Sequence, residues 1–136
     1  MGTLATSSIK NQGDAVDKAI AIGYSAGVSD NKAIAIGSDA KSNSKSASAL
    51  GDTAQALAND ALAIGTQAQA SGSASAAIGA RSAVSGANTY VVGSDNSNNP
   101  AGTGATIAAT NSGVFGNQNR LEGNKNRLVG NSNTVK

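Results

Sequence analysis

The hexapeptide KAIAIG stands at residues 18–23 and returns at 32–37, fourteen positions later. Variants of its last five letters follow at the same interval: ASALG (47–51), ALAIG (61–65), SAAIG (75–79) and TYVVG (89–93). The closing glycines Gly23, Gly37, Gly51, Gly65, Gly79 and Gly93 are therefore in strict fourteen-residue register. An internal repeat of this kind signals stacked copies of one small unit, none of which buries its own apolar face alone.

Within each phrase large and small residues alternate. Ile20, Ile22, Ile34, Ile36, Leu50, Leu62, Ile64, Ile78 and Val92 share one parity, whereas Ala19, Ala21, Ala33, Ala35, Ala47, Ala49, Ala61, Ala63 and Ala77 take the other. A period of two is the pattern of a strand. Three residues after each glycine comes Ala26, Ala40, Ala54, Ala68 or Ser82, and five after it Val28, Ser42, Ala56, Ala70 or Val84, with varied polar residues between. This predicts a second strand, small on one face and wet on the other. Each unit thus reads as strand, glycine turn, strand, turn, with glycine at the bend because it accepts positive φ. Stacking such units in parallel ladders gives an all-β, flattened two-sheet β-solenoid of fourteen-residue coils.

The register then changes. Gly93 and Gly116 are 23 residues apart, one unit plus nine extra residues, and the surplus falls in an Asn-, Pro- and Gly-rich stretch that predicts a surface loop. Beyond it, GNQNRLE, GNKNRLV and GNSNTVK repeat every seven residues from Gly116, Gly123 and Gly130. In this alignment Asn117, Asn124 and Asn131 share one column, and Asn119, Asn126 and Asn133 another, a pattern that predicts structural ladders bonding to turn backbones. The chain is read in three parts: a roll over 1–93, an inserted loop over 94–110, and a continuation in half-repeats over 111–136.

A fourteen-residue coil encloses little space. Close packing favours the large parity inside, opposite the small second strand, with alanine as a bare outward stripe. The reverse, isoleucine outward and alanine inside, satisfies the same periodicity. Either way the ladders Ile20, Ile22, Ile34, Ile36, Leu62, Ile64 and Ile78, and Ala21, Ala35, Ala49, Ala63 and Ala77, divide between a core and an uncovered apolar face. An uncovered face of that length predicts association, and identical repeats suit a closed homo-oligomer.

These phrases resemble the head repeats of trimeric autotransporter adhesins of the Yersinia adhesin (YadA-like) type. The family phrase NSVAIG is approached by NSGVFG (111–116), NDALAIG (59–65) and DNKAIAIG (30–37). The resemblance spans about residues 15–93 and, in weaker form, 111–136. It implies a left-handed parallel β-roll, a homotrimer, and a bacterial cell-surface location with anchorage in the outer membrane by a C-terminal region beyond this sequence. It also implies adhesion to host matrix proteins such as collagen, fibronectin or laminin, or to host cell-adhesion receptors, and a part in virulence. The insertion and the halved repeats depart from the simplest heads, and the basic neck that locks such trimers is not evident before Lys136.

Composition narrows the function classes. The 136 residues contain no Cys and no His, which removes disulfides, thiolate nucleophiles, the usual zinc ligands and imidazole acid–base chemistry. Ten basic residues against eight acidic ones, with one Phe, two Tyr and no Trp, supply neither a basic stripe nor aromatic platforms for nucleic acid. Most of the acids fall at turn positions or on the wet face, and a smooth solenoid offers no cleft in which two could converge, so we expect no enzyme, no metal and no cofactor. No run of eighteen apolar residues occurs, so this segment is expected to make no membrane contact of its own.

Surface recognition remains. The outward residues after each glycine and the loop supply the candidates: Tyr24, Asp39, Lys41, Arg81, Asp95, Asn99 and Pro100, with Tyr24 and Arg81 prominent because Tyr and Arg commonly anchor interfaces. Two functions fit. One is an adhesin head that binds through a repetitive surface; the other is a rigid spacer in the adhesin fibre with no binding site of its own.

Overall fold

The computed structural model describes residues 6–7, 18–96 and 109–135. Every regular element among them is a strand of two or three residues, and none is a helix. The three-residue strands Ile20–Ile22, Ile34–Ile36, Ser48–Leu50, Leu62–Ile64, Ala76–Ile78, Tyr90–Val92, Gly113–Phe115 and Arg127–Val129 lie side by side in chain order as one eight-stranded parallel sheet. The two-residue strands Thr6–Ser7, Gly27–Val28, Lys41–Ser42, Gln55–Ala56, Gln69–Ala70 and Ala83–Val84 form a second sheet, and Arg120–Leu121 pairs with Thr134–Val135 in a third. The chain is a parallel β-solenoid.

Register follows the sequence period. Ile22 lies beside Ile36, Ile36 beside Leu50, Leu50 beside Ile64, and Ile64 beside Ile78, each fourteen residues on. Past the insertion Val92 lies beside Phe115 and Phe115 beside Val129, so the long sheet runs through without a break. Turns are stitched between coils as well, as where Asp39 N donates to Tyr24 O at 2.8 Å and Gly37 N to Ile22 O at 2.8 Å.

The interior is alanine. Ala61, Ala63, Ala68 and Ala70 of one coil are at most 1% exposed, and Ala47, Ala49, Ala54 and Ala56 of the coil before are fully buried. Both sheets turn their small residues inward, which reverses the packing argument that put isoleucine inside. Its premise was a gap wide enough to need a large ladder on one wall. Short strands joined by tight turns hold the two walls so close that methyl meets methyl, and Ile20 and Ile22 are left 44% and 58% exposed. Toward the C-terminal end the interior takes larger groups, Val91, Val114 and Leu121, all fully buried. Buried hydroxyls are satisfied locally: Ser42 Oγ donates to Ala47 O at 2.8 Å and Ser75 Oγ to Gly72 O at 2.6 Å.

The glycine column has a steric origin. Gly79 holds φ +124°, and a Cβ there would lie 2.2 Å from the carbonyl oxygen of Gly93 in the next coil. The left-handed residue of each glycine turn is a different one, two positions on, and it is not glycine: Asp39, Thr53, Gln67, Arg81 and Asp95 all have φ between 53° and 59°. Such a conformation costs roughly 1 kcal/mol for a residue with a Cβ. The inter-coil bonds donated by these same residues hold it in place.

The asparagine columns divide differently from the seven-residue alignment. Because seven residues are half a coil, successive repeats sit on opposite edges. Asn117 and Asn131 stack on each other, with Asn117 N donating to Asn131 Oδ1 at 2.8 Å, whereas Asn124 stands on the other edge and accepts from Thr110 N at 2.8 Å. Likewise Asn119 pairs with Asn133, and Asn126 with Ser112.

Candidate functional site

With alanine inside, the outer surface of the long sheet carries the large residues. The position before each turn glycine is occupied by Ile22, Ile36, Leu50, Ile64, Ile78, Val92, Phe115 and Val129, one per coil in unbroken register. Two residues earlier on the same face runs a second column: Ile20, Ile34, Ser48, Leu62, Ala76, Tyr90, Gly113 and Arg127. Tyr90, Phe115 and Val129 are 52%, 53% and 77% exposed. Strands rise about 4.8 Å from coil to coil, so this apolar face is roughly 34 Å long. Scattered surface leucines need no explanation, but an apolar band of this extent marks an interface. Phe115, Val129 and Tyr90 were not singled out from sequence, although their place one or three residues before a turn glycine was a signal that could have found them.

The opposite wall is polar. Lys41, Gln55 and Gln69 stand in one in-register column on the outer surface of the short sheet. A shallow groove of about 310 Å³ lies between Thr53, Gln55, Gln67 and Gln69. A second, of about 430 Å³, lies along the glycine-turn edge between Ser94, Asp95, Asn117, Gln118 and Asn131.

The candidates read from sequence fall in several places on this surface. Tyr24 is exposed directly after Gly23, on the turn edge. Asp39, Arg81 and Asp95 share the left-handed turn column, and Arg81 and Asp95, one coil apart, form a two-pronged ion pair with Nε–Oδ1 at 2.5 Å and NH2–Oδ2 at 3.0 Å. That hydrogen bond and the carboxylate charge raise the pKa of Arg81 further above its ordinary value. Lys41 lies round the corner on the polar wall and makes no common cluster with them. Asn99 and Pro100 lie outside the described residues. Among the described residues no three His, Cys, Asp or Glu side chains converge on a point where a metal ion would sit. What the arrangement offers is one long greasy face and one polar wall with shallow, solvent-open grooves.

Residues 17–40, 42–68 and 56–82 match a family model described as the YadA head domain repeat. No curated protein matches the chain.

Proposed function

The chain carries head repeats of the YadA-like trimeric autotransporter adhesins, and from that premise we propose that it is a homotrimeric, surface-exposed adhesin head that attaches to host matrix proteins or host cell receptors. The observation that carries the assembly is the apolar column from Ile22 to Val129. A lone chain leaves it in water, whereas three chains with this face turned to a common axis bury it, and in-register repeats align the columns at every level. The polar wall with Lys41, Gln55 and Gln69 then looks outward, together with the turn edge bearing Tyr24 and the Arg81–Asp95 pair. Collagen, fibronectin and laminin are the partner class, anchorage is to the outer membrane through a C-terminal region, and attachment to host tissue is the contribution to virulence.

The test is binding of the purified protein to immobilised collagen, fibronectin, laminin and a cell-receptor ectodomain. Saturable binding by trimer that falls when Tyr24, Lys41 and Arg81 are replaced together supports a binding head. A stable trimer that binds none of them refutes that reading and leaves the segment as a spacer.

A further inference from the structure

The side-chain amides on the glycine-turn edge use only their oxygens within the roll. Ser94 N donates to Asn117 Oδ1 at 2.8 Å, Asn117 N to Asn131 Oδ1 at 2.8 Å, and Ser132 Oγ to Gln118 Oε1 at 3.3 Å. Among the described residues Asn117 Nδ2, Gln118 Nε2 and Asn131 Nδ2 donate to nothing. The buried asparagines differ: Asn96 and Asn119 give Nδ2 to Gly116 O and Gly130 O as well as accepting at Oδ1. An amide is planar with oxygen and nitrogen on opposite arms, so tying the oxygen into the ladder aims the NH2 group away from it. Asn117, Gln118 and Asn131 are exposed, and their oriented donors meet water.

These three amides line the groove of about 430 Å³ together with Ser94 and Asp95. Arg81 grips the Asp95 carboxylate from the coil before, which offsets its charge and fixes its direction while leaving lone pairs that accept. The groove therefore offers fixed donors, a fixed acceptor and no unpaired charge, repeated at the coil rise of about 4.8 Å. A hydroxyl both donates and accepts, so a ligand rich in hydroxyls uses both sets. An anionic polymer finds no free cation among the lining residues, and an extended peptide presents carbonyls to one side only every roughly 7 Å, out of step with the coils. A straight chain of β-1,4-linked pyranoses advances by one ring in about one coil height. We propose that this groove is a binding site for a linear, uncharged, β-1,4-linked glycan lying along the roll, one sugar ring per coil, with Asn117, Gln118 and Asn131 donating to its oxygens and Asp95 accepting from its hydroxyls. Each contact is shallow, so affinity comes from several rings held at once. The site adds a carbohydrate to the protein partners proposed above and does not depend on them.

The test is titration of the isotopically labelled full chain with cellotriose, followed through its side-chain NH2 signals by nuclear magnetic resonance. Signals of Asn117, Gln118 and Asn131 should shift saturably, those of Gln55 and Gln69 on the polar wall should stay, and the curved α-linked maltotriose should move none. Asn117→Asp and Asn131→Asp keep an oxygen for the ladder and remove the donor, so each should weaken binding by about fivefold or more, with the Ser94 and Asn117 N–H groups still protected from exchange. Gln118→Glu disturbs no backbone bond and should weaken binding equally, which keeps the test decisive where a ladder N–H loses protection. The absence of saturable shifts, equal shifts with maltotriose, or parental affinity in Gln118→Glu and the two Asp variants overturns the proposal. Shifts of the same signals by a collagen-like peptide and not by cellotriose would overturn it too, giving the groove to a protein ligand.

Discussion

On the proposed trimeric reading, replacing Ile64 with Asp should separate the roll from its assembly. Ile64 is outward, half-buried, and flanked in register by Leu50 and Ile78 near the middle of the apolar face. In a single chain the substitution puts a carboxylate on a solvent-facing strand position, where residue preferences span about 1 kcal/mol, so the fold should survive. In a trimer it acts three times at one level. Each chain loses the apolar area that association would have covered, about 1–2 kcal/mol, and each carboxylate loses water at a cost of a few kcal/mol more unless it takes up a proton. The sum is about 10 kcal/mol per trimer, roughly seven decades in the association constant. Sedimentation equilibrium should therefore find monomer at concentrations where the parent is trimeric, with the far-ultraviolet β spectrum retained. A variant that stays trimeric with an unchanged melting curve would refute the axial placement of this face, and one that loses its β spectrum would refute the inside–outside assignment.

Ala63→Leu should do the reverse: with Ala61, Ala68 and Ala70 at most 1% exposed there is no room for the added carbons, and overpacking of about 3 kcal/mol or more should lower the melting temperature or abolish folding. Gly79→Ala places a methyl 2.2 Å from Gly93 O, so it should destabilise by roughly 3 kcal/mol or more in chemical denaturation, whereas Ala80→Gly one residue later should cost far less. Arg81→Ala breaks an ion pair whose guanidinium side chain is 55% exposed, and the melting temperature should stay within about 2 °C of the parent at 0.15 M salt, in keeping with the small worth of surface pairs.

The fourteen-residue period, the two strands per coil and the position of the glycine bend were legible because backbone geometry writes itself into sequence as spacing. Gly23 to Gly93 and the alternation in AIAIG needed no knowledge of the third dimension. Which parity faces inward was not legible in the same way. Alternation states that Ala35 and Ile36 face opposite sides, but the sign depends on how far apart the two sheets stand, and turn closure sets that distance. Density alone pointed the wrong way, because it presumed a wide gap. The left-handed residues were hidden for a related reason. Thr53, Gln67 and Arg81 have no shared chemistry, and what fixes their conformation is the bond each N–H makes to the coil before it. The Arg81–Asp95 pair was within reach of sequence, since residues fourteen apart are neighbours once the period is known.

An interior of alanine also explains why the outside is greasy. A core that narrow removes little apolar area per coil, so a coil cannot draw much of its stability from within and must rely on ladders to its two neighbours and on whatever covers its outer face. On the proposed trimeric reading, the large aliphatic groups excluded from the interior serve a contact between chains. The same narrowness gives every coil the same height and nearly the same wall, so on the proposed reading any weak contact made by one level is repeated by three chains and along several levels. A ligand that is itself repetitive then gains from effective concentration rather than from a deep pocket. The shallow grooves beside Gln55 and Asn117 are the form expected of such a surface. If binding is of this kind, a monomeric Ile64→Asp protein that keeps its wall intact should lose most of its apparent affinity for an immobilised, repetitive ligand and little of its affinity for a short soluble piece of it. Equal losses on both would mean that the contact is built across the seam between chains and not on the wall of one.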